Sequence, residues 1–238
     1  MQAEINGLLK ASKYSAIPNR LGFCGPTKSF QKLEEFVASP SKERSIGAKG
    51  ILQRFNALFP YLELIASSNS LQPFDERVVE SYWIGNELLE RVPKRELQKT
   101  VFSLQKFGLP QRIAEKKAAG IVDGMFPHHS FHVLYINFIN PNLKPLISNL
   151  SNCLVQWGKV KKVRESQFLV KAEQLLFESG QLKLKEKIRN VDKGFVQQVA
   201  KNDFVSIHWN KAVELLDEEQ VGMLKKNTLN MLDLIKQL

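Results

Sequence analysis

The chain has 238 residues, of which 43% are hydrophobic and 24% are charged. These proportions are those of a globular protein with one large or two small domains, and they exclude a fibrous or disordered chain. It contains no apolar run of about 18 residues, so no membrane-spanning helix is expected.

The N-terminus lacks the basic start and apolar core of a secretion signal. The two cysteines, Cys24 and Cys153, are too far apart for a CxxC zinc site and too few for a disulfide framework. We therefore expect a cytoplasmic protein with both thiols reduced.

The net charge of +10 at pH 7 could indicate an acidic partner or nucleic acid. The two lysine clusters, 159–164 and 183–187, alternate with apolar residues or lie beside acids. This pattern is typical of the solvated face of a strand. Nucleic acid is therefore not the partner that we expect.

The first 147 residues show apolar positions at helical spacing, which predicts one helical domain. A short amphipathic helix comes first, and the prolines and glycines of 17–26 predict a structured loop that carries Cys24. Asp75 is a plausible N-cap, and Pro60 should kink or split the second of the helices that follow. These helices are predicted at 27–39, 42–67, 75–92, 94–107 and 110–120.

The segment 126–139 is densely apolar and contains three of the four histidines. Its proline-led start favours a buried helix, although its β-branched residues leave a strand possible. Asn140–Asn142 and Pro145 mark its end, and 148–152 reads as a linker.

Beyond Cys153 the apolar residues alternate with polar ones, which predicts short strands. Ser179–Gln181 is a hairpin turn signal, 195–199 reads as a short strand, and 202–203 is a turn before a strand at 204–209. A further strand at 212–216 leads to Asp217–Gln220, which should cap a terminal helix. Short strands at this spacing predict a small barrel, because closure removes exposed strand edges.

Two segments of this region carry a resemblance to a known family. Cys153–Val160 reads CLVQWGKV, and Asn202–Ala212 reads NDFVSIHWNKA, followed by LLDEEQ at 215–220. In this order they resemble the small hydrogenase-maturation chaperones of the HypC/HupF type, over about 85 residues. Val155, Trp157 and Asn210 depart from that family's glycine and proline positions, and Cys153 is internal here.

The resemblance implies an OB-like β-barrel with a C-terminal helix over residues 152–238, and hence an α+β chain with an all-helical domain at 1–147. It implies that Cys153 and His208 hold an iron that carries cyanide and carbonyl ligands. It further implies two partners: an iron–sulfur scaffold maturation protein and the hydrogenase large-subunit precursor. In the helical half, Asn19–Pro26 and Pro73–Asp75 with 82–86 loosely resemble an uncharacterised prokaryotic family, which suggests no mechanism.

Cysteine and histidine are chemically suited to this role, since thiolate and imidazole bind soft and borderline metals. The plainer alternatives are a buried apolar cysteine at Cys153 and a hydrogen-bonded core histidine at His208. Alternation along the strand should place His208 on the face of Phe204 and Ser206, opposite Ile207.

A second candidate metal site comprises His128, His129 and His132, with Cys24 as a further ligand. On a helix, His128 and His132 lie at i and i+4 on one face, and a mixed set of this kind suits zinc, iron or nickel. The alternative is that His128 and His129 cap the turn at Pro127 while His132 packs in the core.

The sequence thus favours a non-enzymatic assembly factor for a metal centre, which holds or hands on iron. One alternative is a metal-dependent enzyme whose site lies in the helical domain. The other is a basic nucleic-acid-binding module, since OB-like barrels often bind single strands.

Overall fold

The predicted order of helices, then a closed barrel, then a terminal helix is confirmed in the computed structural model, which describes residues 2–136 and 146–237. The chain divides into two compact units, Met1–His132 and Val133–Leu238. Domain boundaries at 147 and 152 stay predictions. The class is therefore α+β, as expected.

The first unit is helical. Helix α1 packs against α2, α3 and α5. At Gly7 the backbone of α1 lies close to the residues that precede α5, so that a Cβ atom there would be 2.1 Å from the Phe74 carbonyl oxygen. A larger residue at Gly7 would force these segments apart. The α-helices of this unit are α1 (Gln2–Arg20), α2 (Phe30–Ala38), α3 (Lys42–Leu52), α4 (Phe59–Ser68), α5 (Glu76–Trp83), α6 (Lys94–Ser103), α7 (Gln111–Ala119) and α8 (His129–Phe131). Two 3₁₀ helices lie at Glu87–Arg91 and Leu104–Phe107.

Two of the predicted helix boundaries are confirmed in this unit. The Asp75 side chain accepts a hydrogen bond from the Arg77 amide at 3.0 Å and so caps α5. Pro60 lies in the first turn of α4, where a missing N–H removes no helical hydrogen bond. The predicted helix at 42–67 is accordingly split into α3 and α4.

The loop predicted at 17–26 is wrong over its first four residues, because α1 continues through Pro18 to Arg20. The Ile17 and Pro18 carbonyls accept hydrogen bonds from the Leu21 and Phe23 amides at 3.1 and 2.9 Å. Tyr14 and Ile17 are buried, so tertiary packing offsets the one helical hydrogen bond that Pro18 cannot make.

The segment after Pro127 is helical as far as it is described. Helix α8 is followed by a π-helical turn, His132–Ile136, and every residue from Val133 to Ile136 is buried. The predicted end at Asn140–Asn142 and Pro145, with the last residues of 126–139, lies outside the described residues.

The second unit contains a closed barrel with the strand order β1-β2-β3-β5-β4, as expected of an OB-like barrel. Its elements are α9 (Ile147–Cys153), β1 (Gln156–Val163), β2 (Gln167–Glu178), β3 (Gln181–Asp192), β4 (Phe204–His208), β5 (Lys211–Leu216) and α10 (Glu218–Ile235). Neighbouring strands pair antiparallel, except for one parallel contact of β3 with β5.

Inward-facing aliphatic and aromatic side chains from all five strands fill the barrel. They are Val160, Phe168, Val170, Ala172, Val191, Val205, Ile207 and Ala212, joined by Val196 from the connection between β3 and β4. Gly158 leaves the space that they need, because a Cβ atom there would lie 2.3 Å from Val170 Cγ1.

Two sequence interpretations are wrong in this unit. The stretch 148–152 is helical rather than a linker, so Cys153 ends a helix and the first strand starts three residues later. The stretch 195–199 forms no strand; Val196 still packs in the barrel core, which explains its apolar character. The turn at Ser179–Gly180 and the cap at Asp217–Gln220 are confirmed.

Within the part of the chain that the structure describes, no helix combines the length and the apolar character needed to cross a membrane.

Candidate metal centre

Cys153 is the last residue of α9, and hydrogen bonds hold this end of the helix against the barrel. The Ser151 hydroxyl oxygen accepts a hydrogen bond from the Leu175 amide of β2 at 3.1 Å. The Gln156 side-chain amide of β1 donates to the Ser151 hydroxyl at 3.2 Å and to the Ser151 carbonyl. The half-buried Cys153 is therefore presented by a fixed helix end.

His208 is the last residue of β4 and is 1% exposed. Because side chains alternate along a strand, His208 faces away from the barrel core in which Ile207 packs. The next residues, Trp209 and Asn210, have φ values of +51° and +58° and make a tight turn into β5. Strand β4 therefore ends at His208, and the chain turns at the next residue.

The segments that carry these two residues are joined directly. The Trp209 amide donates a hydrogen bond to the Asn152 carbonyl at 2.8 Å, which links the residue after His208 to the residue before Cys153. The Cys153 sulfur and a ring nitrogen of His208 lie within 4.8 Å of each other.

This separation fits two ligands of one ion with little adjustment. Zinc–sulfur and zinc–nitrogen bonds of about 2.3 and 2.05 Å at a tetrahedral angle put the two donor atoms about 3.5 Å apart. A small rotation of either side chain covers the difference.

The three histidines of the first unit are all held at Nδ1. His129 Nδ1 and His132 Nδ1 each lie 3.0 Å from a tyrosine hydroxyl, that of Tyr82 and that of Tyr61 respectively. His128 Nδ1 accepts a hydrogen bond from the Ser130 amide at 3.1 Å and thereby caps α8.

Burial keeps two of these imidazoles neutral. Burial, together with a smaller effect of the neighbouring His129, lowers the pKa of His128 and that of His132 to about 3. Burial also raises the pKa of the Cys24 thiol to about 11, against a smaller opposite effect of the Gly25 backbone. Within the described ranges, Cys24, His128 and His132 belong to no group of three or more potential metal ligands.

Cys153 and His208 could together hold a metal ion, and a thiolate with an imidazole does not determine which metal. The sequence motifs selected these two residues as one site, and the structure brings their donor atoms within 4.8 Å of each other. The same analysis assigned His128, His129, His132 and Cys24 to a second site. Among the described residues, no group of three or more potential metal ligands lies entirely within the first unit.

The chain belongs to a family of unknown function, DUF6390, which it matches over residues 3–238. No curated protein and no solved structure matches it. The expected membership in the hydrogenase-maturation chaperones is therefore wrong: the family spans the helical part and the barrel together. The resembling segments follow strand and turn positions of the barrel, where alternation and turn chemistry restrict the residue types.

Proposed function

We propose that this protein binds one transition-metal ion through Cys153 and His208 and that it holds or hands on that metal. The close approach of the Cys153 sulfur to the His208 ring, within 4.8 Å, is the observation that carries the proposal. A thiol and an imidazole this close, each at the end of a well-anchored element, form half of a tetrahedral site before metal arrives.

The chemistry of the donor set supports a borderline metal. A thiolate with an imidazole suits zinc, ferrous iron, nickel and copper far better than magnesium or calcium, which prefer oxygen ligands. Iron, zinc and nickel therefore all fit these two donor atoms.

The small number of protein ligands supports a site that exchanges the metal that it holds. Structural zinc sites are closed by four protein ligands, whereas Cys153 and His208 leave coordination positions for water or an incoming ligand. A protein that delivers a metal needs such a position, so that the acceptor can begin to bind before the donor releases the metal.

Two further parts of the proposal follow from this role. The partner is a protein that supplies or accepts the metal. The location is the cytoplasm, where thiols stay reduced and a thiolate ligand is available without a separate reducing step.

An open coordination position also favours one second candidate, a metal-dependent enzyme. Catalytic zinc sites typically have three protein ligands and a metal-bound water. In this reading the same ion would activate water for hydrolysis. Metal-dependent hydrolysis of activated esters, lost in the Cys153 variant, would favour it over a metal carrier.

Cobalt titration of the full chain tests the proposal, because Co²⁺ reports thiolate ligation by an intense near-ultraviolet charge-transfer band. We expect one Co²⁺ per chain and a thiolate band that is absent in Cys153→Ser. His208→Gln should weaken binding by at least about tenfold, since it removes one ligand. Cys24→Ser is the matched control and should titrate as the natural protein does. A thiolate band that persists in Cys153→Ser would overturn the proposal.

A further inference from the structure

One arginine contacts both segments that carry the barrel's candidate ligands. Arg189 lies on β3, paired across the sheet with Val170 of β2. Its Nη2 donates to the side-chain oxygen of Gln156, and its Nη1 donates to the side-chain oxygen of Asn210 at 3.2 Å. Gln156 is three residues after Cys153, and Asn210 is two residues after His208.

The first branch of this network reaches the end of α9. Gln156 is 2% exposed, and its amide nitrogen donates to the Ser151 hydroxyl at 3.2 Å and to the Ser151 carbonyl. Arg189 holds the Gln156 oxygen, so the amide nitrogen must point at Ser151. The guanidinium thereby fixes the helix turn that ends at Cys153.

The second branch reaches the turn behind His208. Asn210 adopts a left-handed backbone conformation, φ +58°, and its carbonyl accepts a hydrogen bond from the Asp192 amide at 3.1 Å. The hydrogen bond from Arg189 to its side chain adds a second anchor. The turn that ends β4 is therefore fixed from β3 on both its backbone and its side chain.

The Arg189 guanidinium makes little use of its remaining hydrogen-bonding capacity. Both acceptors are neutral amide oxygens, and among the described residues its buried Nε atom has no hydrogen-bond partner. A half-buried cation that binds only neutral groups contributes little to stability, since burial disfavours its charge. Its two hydrogen bonds are therefore better explained by the placement of the two segments than by stabilisation of the barrel.

We infer that Arg189 is a positioning residue that sets the separation of the Cys153 sulfur and the His208 ring through Gln156 and Asn210. This inference rests on the proposed function and identifies a residue that orients the two proposed ligands without binding the metal itself. Such outer partners of metal ligands typically change metal affinity by about 10- to 100-fold.

The test compares Arg189→Gln with Lys187→Gln in the full chain. Lys187 is exposed two residues earlier on β3, so its substitution removes the same charge without touching the network. We expect Arg189→Gln to weaken Co²⁺ binding by about 10- to 100-fold and to shift the thiolate band, while Lys187→Gln changes affinity less than about twofold. Arg189→Lys should not restore binding, because one ammonium cannot reach both acceptors as the guanidinium fork does.

The double variant Arg189→Gln with Gln156→Leu separates positioning from general loss of stability. If Arg189 acts through Gln156, the double variant should lose no more affinity than the more severe single variant, whereas independent effects would add. Unchanged Co²⁺ affinity and band position in Arg189→Gln would overturn the inference. So would a loss of affinity that matches the fraction of unfolded protein.

Absence of cobalt binding by the natural protein would count against the proposed function and not against the positioning. The positioning is then read from Cys153 alkylation rates in a Cys24→Ser background. Arg189→Gln should change that rate several-fold at fixed pH and Lys187→Gln should not; equal rates in all three proteins would overturn the inference.

Discussion

The two cysteines show how surroundings decide what one residue type can do. Cys24 follows α1 and is half-buried, and its carbonyl accepts a hydrogen bond from the Asn19 side chain at 2.8 Å. Cys153 ends a helix beside the His208 ring. Cys153 has a potential metal ligand of its own unit, His208, beside it, whereas Cys24 belongs to no group of three or more potential ligands among the described residues.

Cys24 should therefore react slowly with alkylating reagents. A thiol whose pKa is about 11 is less than about one-hundredth thiolate at pH 8, and the thiolate is the reacting species. We expect iodoacetamide at pH 8 to leave Cys24 unmodified in the folded chain and to modify it rapidly in 6 M guanidinium. Peptide mass spectrometry measures both; rapid modification of Cys24 in the folded chain would contradict the expectation.

At the level of single residues, sequence motifs selected Cys153 and His208, whose donor atoms the structure places within 4.8 Å of each other. Strand alternation predicted that His208 faces away from Ile207. Arg189 was missed by the same motifs. On β3 it follows Lys183, Lys185 and Lys187, and nothing in that basic run distinguishes the one cation that is partly buried.

Among the elements, the tight turn between β4 and β5 limits which residue types can follow His208 in the chain. Trp209 and Asn210 both have positive φ values, a conformation that asparagine and glycine adopt readily and β-branched residues do not. The turn pairs His208 with Lys211. Strain in this turn would displace the His208 imidazole, because the turn starts at the next residue.

Substitution of Asn210 tests this backbone requirement. Asn210→Gly and Asn210→Val both remove the acceptor of the Arg189 hydrogen bond, so their difference isolates the left-handed conformation. We expect Asn210→Val to lower the free energy of unfolding by about 1–3 kcal/mol more than Asn210→Gly does. Urea unfolding followed by tryptophan fluorescence measures it. Equal stability of the two variants would show that the turn is not strained by a branched side chain.

Sequence patterns predicted helix caps and turns well where the interacting residues are adjacent in the chain. The cap at Asp75, the hairpin turn at Ser179–Gly180 and the capping box at Asp217 all depend on a few adjacent residues. The patterns failed at α1, where burial of Tyr14 and Ile17 outweighs the effect of Pro18. They failed at α9 as well, where seven polar and apolar residues form a helix held by contacts with β2.

For the whole molecule, the switch from helical to alternating periodicity was enough to predict the class and the order of the two parts. It could not identify the family, since the strand and turn residues that suggested a chaperone also satisfy the requirements of a small barrel. Membership in DUF6390 joins both parts into one family.

X-ray absorption at the metal edge of the zinc-loaded full chain tests the metal site most directly. We expect one sulfur at about 2.3 Å and nitrogen at about 2.0–2.1 Å, with nitrogen or oxygen in the remaining positions. Cys24→Ser should leave this spectrum unchanged, and Cys153→Ser should remove its sulfur shell. A spectrum with oxygen and nitrogen ligands only, or a sulfur shell that survives Cys153→Ser, would contradict the assignment of Cys153 as a metal ligand.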